Sequence, residues 1–180
     1  MMNNIVFVNI MRFFGLLTLQ VLVCSNINLI GYINPNIYLL FILLYPASNN
    51  RLLFIFSSFL LGVVIDAFLD SGGTHAAASV LIAYIRPLFL KFSFGAAYDY
   101  QSIKFSNTNF TQRYIYFLSL ILIHHLVLFS LVVFNQDKML LIIKQTFYSS
   151  VFTFLLCLLI YSLFSSKKVW GKYYFTVLFL

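Results

Sequence analysis

The chain has very little negative charge: four acidic residues, all aspartates, in 180. A relay of carboxylates for moving protons is therefore thinly supplied. Charge of either sign is scarce, 8% of residues, where a soluble domain carries about a quarter. There is no room for a separate soluble domain. Two cysteines, Cys24 and Cys157, lie far apart in apolar runs, which excludes a zinc knuckle or a redox pair and reads as two small buried hydrophobes. No phosphate-cradling glycine loop, G-x-S-x-G or H-E-x-x-H occurs, so the motifs of the common enzyme classes are missing. The chain reads as no enzyme, with no cofactor and no metal. Basic residues are not clustered on a polar face, so nucleic acid is not a partner.

What is abundant is apolar. Hydrophobic residues make up 62% of the chain, with 22 Phe and 12 Tyr. Several runs approach the roughly 20 residues that cross a hydrocarbon core. The reading is an all-α membrane protein, one transmembrane domain over 1–180, a bundle of about six spans. These fall at 5–24, 29–46 (broken at Pro35), 51–69, 74–92, 114–134 and 139–164, with a tail over 165–180. Residues 1–24 resemble a signal peptide, but Val23 is too large for the cleavage position and apolar character soon resumes. The second span is awkward because Asn34-Pro35-Asn36 interrupts it and Pro46 ends it. Proline removes a backbone donor, and a broken span survives only where neighbouring protein satisfies the freed groups.

Loop charge favours six spans over five. One side then receives Arg12, Arg51, Lys91, Lys104, Arg113, Lys167, Lys168 and Lys172, and the other only Lys138 and Lys144. Basic residues collect in cytoplasmic loops, so both termini are expected in the cytoplasm. The polar stretch 93–112 is then a cytoplasmic loop. The tail, with Trp170 and Tyr173-Tyr174-Phe175 after its lysines, suits the lipid headgroup level.

The distinctive stretch runs from Leu60 to Pro87. Two apolar segments joined by Asp70-Ser71-Gly72-Gly73-Thr74 each hold an ionisable residue, Asp66 in the first and Arg86 in the second. Charge at membrane depth is costly and usually has a partner and a role. Ser58, Gly62 and Asp66 share one helical face, as do His75, Ala76, Ser79, Ala83 and Arg86. Small residues at that spacing let two helices approach closely. An even count back from the link sets Asp66 beside Ala78 and Ser79, and Ser58 beside Arg86. On it Asp66 and Arg86 lie about 12 Å apart along the axis, leaning toward each other. A direct pair and a bridge through Ser58, Ser79 or water both fit. The plainer reading is a lock between two helices. His75 reads as a capping or rim residue, Gly72 as a turn that needs backbone freedom. Of His124 and His125, at most one is expected to face inward.

The pattern G-x-x-x-D-A-F, a short glycine-containing link, H-A-A-A and A-Y-x-R-P resembles the MreD family of bacterial rod shape-determining proteins. Here it is Gly62, Asp66, Ala67, Phe68, Gly72, His75, Ala76, Ala77, Ala78, Ala83, Tyr84, Arg86 and Pro87. Upstream, Asn28 to Pro35 is similar to the Bacteroidetes form. The specific part covers 28–46 and 62–87; the last two spans match only as apolar helix. The resemblance implies a multi-pass protein of the bacterial inner membrane, similar in fold to the substrate-binding subunits of energy-coupling-factor transporters. It implies a non-enzymatic scaffold role in the elongasome: binding MreC and acting with MreB, RodA and a penicillin-binding transpeptidase in lateral peptidoglycan synthesis and cell shape. Together with the spacing, which adds Ser79, this makes Gly62, Asp66, Gly72, His75, Ser79, Arg86 and Pro87 the expected interaction or structural hairpin. The competing reading from another class is a small-solute, vitamin-like binding subunit of a membrane transporter, which the same fold permits.

Overall fold

The computed structural model describes residues 2–27, 34–46, 50–95, 108–134 and 136–165. Among these every regular element is helical: α1 (Met2–Leu22), α2 (Leu39–Leu44), α3 (Arg51–Leu69), α4 (Thr74–Phe94), α5 (Phe110–Val133) and α6 (Met139–Ser165). Single 3-10 turns follow α1 and precede α6. Among the described residues, five helices are long and apolar enough to cross a membrane. The protein is an all-α polytopic bundle.

The exception is α2. Its six residues rise only about 9 Å, far short of a hydrocarbon core of about 30 Å. Residues 34–38 before it make no regular helix; 29–33 lie outside the described residues, as do 96–107 of the expected cytoplasmic loop and the tail beyond 165. Yet Ile37 to Tyr45 is buried without a break, so this short piece is the centre of the molecule and the long helices surround it.

Side-chain contacts give the chain's direction. Gln20, late in α1, bonds the Pro35 carbonyl, and Arg12, two turns earlier, bonds that of Leu44. Residues 35–44 therefore run antiparallel to α1. Tyr38 lies against His75 at the start of α4, whereas Leu43 and Tyr45 meet Arg86 further along, so 38–45 runs parallel to α4. Tyr116 and then His124 on α5 meet Leu43 and Tyr38 in reverse order. On α6, Thr153 meets His125 and Tyr161 meets Phe117. Each pass alternates, the second one being made by the irregular stretch and α2. The starts of α1, α3 and α5 share one end of the bundle with the ends of α2, α4 and α6.

The hairpin of α3 and α4 is the tightest unit. α3 begins where the Asn50 side chain accepts the Leu52 N–H at 2.9 Å. It ends at Asp70, which takes a left-handed conformation (φ 51) while its N–H bonds the Asp66 carbonyl. Gly72 and Gly73 continue in left-handed geometry, φ 63 and 90, which glycine adopts at no steric cost. Gly62 lies directly on α4: a Cβ there would stand 2.6 Å from the Ala76 nitrogen and 2.8 Å from the His75 carbonyl oxygen.

Candidate functional site

Asp66 occupies the last turn of α3 and caps the first turn of α4. Its Oδ1 accepts the His75 N–H at 3.0 Å and its Oδ2 the Ala76 N–H at 2.8 Å. These are two of the donors a helix start leaves without intrahelical partners. Gly73, the residue in the cap position, has no side chain to supply that oxygen, so the preceding helix does. Ser71 Oγ donates to Oδ1 at 2.5 Å and His75 Nδ1 approaches it at 2.9 Å. A carboxylate at a helix N-terminus also meets the positive end of the helix dipole.

Arg86 does not meet Asp66. Neither the direct pair nor the bridge through Ser58 or Ser79 forms. Ser58 Oγ instead bonds the Phe54 carbonyl of its own helix. The even count is displaced too: Asp66 stands beside His75 and Ala76, not Ala78 and Ser79. The reason is the left-handed turn at Asp70 and Gly72-Gly73, which brings the start of α4 back against α3 within a few residues.

Arg86 instead holds the C-terminal end of α2. Its Nη2 donates to the carbonyls of Leu43 (3.2 Å) and Tyr45, and its Nε to the Tyr116 hydroxyl at 2.8 Å. Tyr116 in turn donates to Leu43 at 3.0 Å, and Arg12 Nη1 to Leu44 at 3.3 Å. The guanidinium of Arg86 lies 5.1 Å from the Phe54 ring centroid. Because Pro46 cannot continue the helix, three successive carbonyls would face the bundle interior without donors. Two arginines and a tyrosine supply them. Arg12 and Arg86 are only 5% and 3% exposed. Counting Arg12 as a loop charge therefore mistakes its place: it lies inside α1 and belongs to the core.

The other end of the same pass is held by neutral groups. Gln20 Nε2 donates to Pro35, and Gln20 Oε1 accepts from Tyr38 N at 3.4 Å. Asn36 N donates to Thr153 Oγ1 at 3.0 Å, and the Tyr38 hydroxyl meets His124 Nε2 at 2.7 Å. His125 Nε2 lies 3.2 Å from both Asn36 Nδ2 and Thr153 Oγ1. Both histidines are wholly buried, contrary to the expectation that at most one faces inward. α5 packs on both α4 and α6 and touches α2, so two adjacent positions find protein on either side.

The expected site residues thus separate into three places. Gly62, Asp66, Gly72 and His75 build the hairpin tip, with Gly72 exposed in the turn. Ser79 is fully buried in the neutral cluster beside Tyr38. Arg86 serves α2, and Pro87 follows it inside α4. Gln20, Asn36, Tyr38, Tyr116, Thr153 and the two histidines were not singled out by sequence reasoning as a site. One signal for them was present: Thr146, Ser149, Ser150 and Thr153 recur at three- and four-residue spacing in an otherwise apolar helix.

No protein-family model, curated protein or solved structure matches this chain.

Proposed function

We propose that the chain is an MreD-like, non-enzymatic subunit of the bacterial elongation complex, lying in the inner membrane with both termini in the cytoplasm and binding MreC. The resemblance of residues 28–46 and 62–87 to that family supports the reading. One observation carries it: the two resembling stretches close on each other, through Arg86 on the Leu43 and Tyr45 carbonyls. A pattern split across the sequence thereby belongs to one structural unit. Asp66 and Arg86, the charges that a catalytic or carrier role would draw on, are both engaged with backbone. That fits a scaffold.

Phe68 and Tyr84 belong to the resembling pattern and yet point outward, 66% and 62% exposed. On this reading they are residues through which a partner's transmembrane helix would be met. Purification of the tagged full chain from native membranes should bring MreC with it, and depletion should round the cells. Recovery of intact protein without MreC would overturn the reading.

A further inference from the structure

The half of the interior next to the α3–α4 link holds more hydrogen-bonding groups than it uses. Ser149 Oγ, Ser150 Oγ, Thr146 Oγ1 and His124 Nδ1 are buried with no hydrogen-bond partner. Buried polar atoms are nearly always satisfied, and an orphan needs a cause. His124, Ser149 and Ser150 gather around the contact of His125 with Thr153, and Thr146 lies a further turn away along α6. His124 is fixed by Tyr38 and sits beside His125, ring centroids 5.3 Å apart. His125 is bonded to Thr153, and Ser149 and Ser150 lie one turn before Thr153 on the buried face of α6. Ser79 lies beside Tyr38 from the α4 side.

A second observation points the same way. Residues 34–38 cross this region as irregular backbone, which at membrane depth is tolerated where protein buries it or where it lines a polar cavity. Broken spans of this kind are where membrane carriers place their sites.

We infer that this cluster is a binding site for a small uncharged solute carrying several hydrogen-bond donors and acceptors. The absence of charge follows from the surroundings. No lysine, arginine or carboxylate belongs to the cluster. Both oxygens of Asp66 are engaged by Ser71, His75 and Ala76, and Arg12 and Arg86 are engaged at the far end of the pass. A buried ion would find no counter-charge. The hydroxyls, by contrast, can each donate or accept, and the rings of Tyr38, His75 and His124 give the region aromatic walls. This site is independent of MreC binding, which uses the outer surface.

Thermal unfolding of the detergent-purified full chain tests it, with uracil, cytosine and glycerol as probes. At about ten times its dissociation constant, a bound solute should raise the midpoint by about 3 °C. The combined variant Ser149→Ala/Ser150→Ala should lose the shift, and Ser162→Ala, at the opposite end of α6, should keep it. Should the double variant fail to fold, Ser79→Ala takes its place in the same measurement. No shift with any of the three probes, as a cluster filled by water alone would give, overturns the inference. So does a shift that survives in the cluster variants. Neither result bears on MreC co-purification.

Discussion

Arg86 reaches across from α4 to the main-chain carbonyls of Leu43 and Tyr45. A buried guanidinium is thus used to end a helix that Pro46 cannot continue. Replacing it by methionine keeps the bulk and removes the donors. Because each buried carbonyl left unpaired costs about 1–3 kcal/mol, Arg86→Met should lower the unfolding midpoint markedly. Arg86→Lys should recover only part of the loss, since an ammonium lacks the planar fork that serves several acceptors at once. An unchanged midpoint for Arg86→Met would show that the carbonyls find other donors.

Asp66 and Arg86 share no partner, and this has a measurable consequence. Mutations at sites without shared contacts add to within about 0.5 kcal/mol. The losses for Asp66→Ala and Arg86→Met should therefore sum in the double variant. Asp66→Ala alone removes a helix cap, which costs about 0.5–2 kcal/mol. A coupling well above the additive limit would restore the direct or bridged contact that the spacing in the sequence left open.

Gly62 is required by proximity rather than by backbone conformation. Its α-hydrogen faces the Ala76 backbone, and an added methyl would lie inside contact distance of atoms that cannot rotate away. Gly62→Ala should force α3 and α4 apart and reduce the yield of folded protein in detergent. Gly15, on α1, has nothing within 4 Å of an added Cβ; there alanine should be neutral or gain up to about 1 kcal/mol from helix propensity. Equal behaviour of the two variants would remove the close approach as a cause.

The contrast between these residues marks what the sequence made legible. Long apolar runs define the long helices because length and hydropathy are local properties. The burial of Asp66 and Arg86 was legible too, from small residues at helical spacing beside them. Their partners were not. Each bonds backbone atoms, and a carbonyl at Leu43 or an N–H at Ala76 looks like any other in a sequence. The interrupted second segment announced that some groups would need partners, but not that Gln20, Arg12 and Thr153 would supply them. For His124 and His125, the inference from helical period assumed that one side faces lipid. α5 does turn one stripe outward, with Ile115, Leu118 and Leu126 exposed, but its buried arc is wide enough to take in two adjacent positions about 100° apart.

The outward residues of the hairpin give the sharpest test of a partner. Phe68 and Tyr84 lie on neighbouring helices and are mostly exposed. Tyr84 is additionally held from the side, with the Arg51 guanidinium 5.1 Å from its ring centroid. Replacing both by leucine keeps a lipid-compatible surface and disturbs no buried contact, so the unfolding midpoint should stay within about 0.5 kcal/mol of equivalent stability. If MreC docks here, the variant should still reach the membrane but recover several-fold less MreC in a native-membrane pull-down, because a few aromatic anchors carry most of an interface's energy. Leu52→Ala, an exposed position near the start of α3 outside the resembling pattern, should leave recovery unchanged. Loss of MreC in both variants would mean a general effect on assembly. Full recovery in both would move the partner surface away from this hairpin.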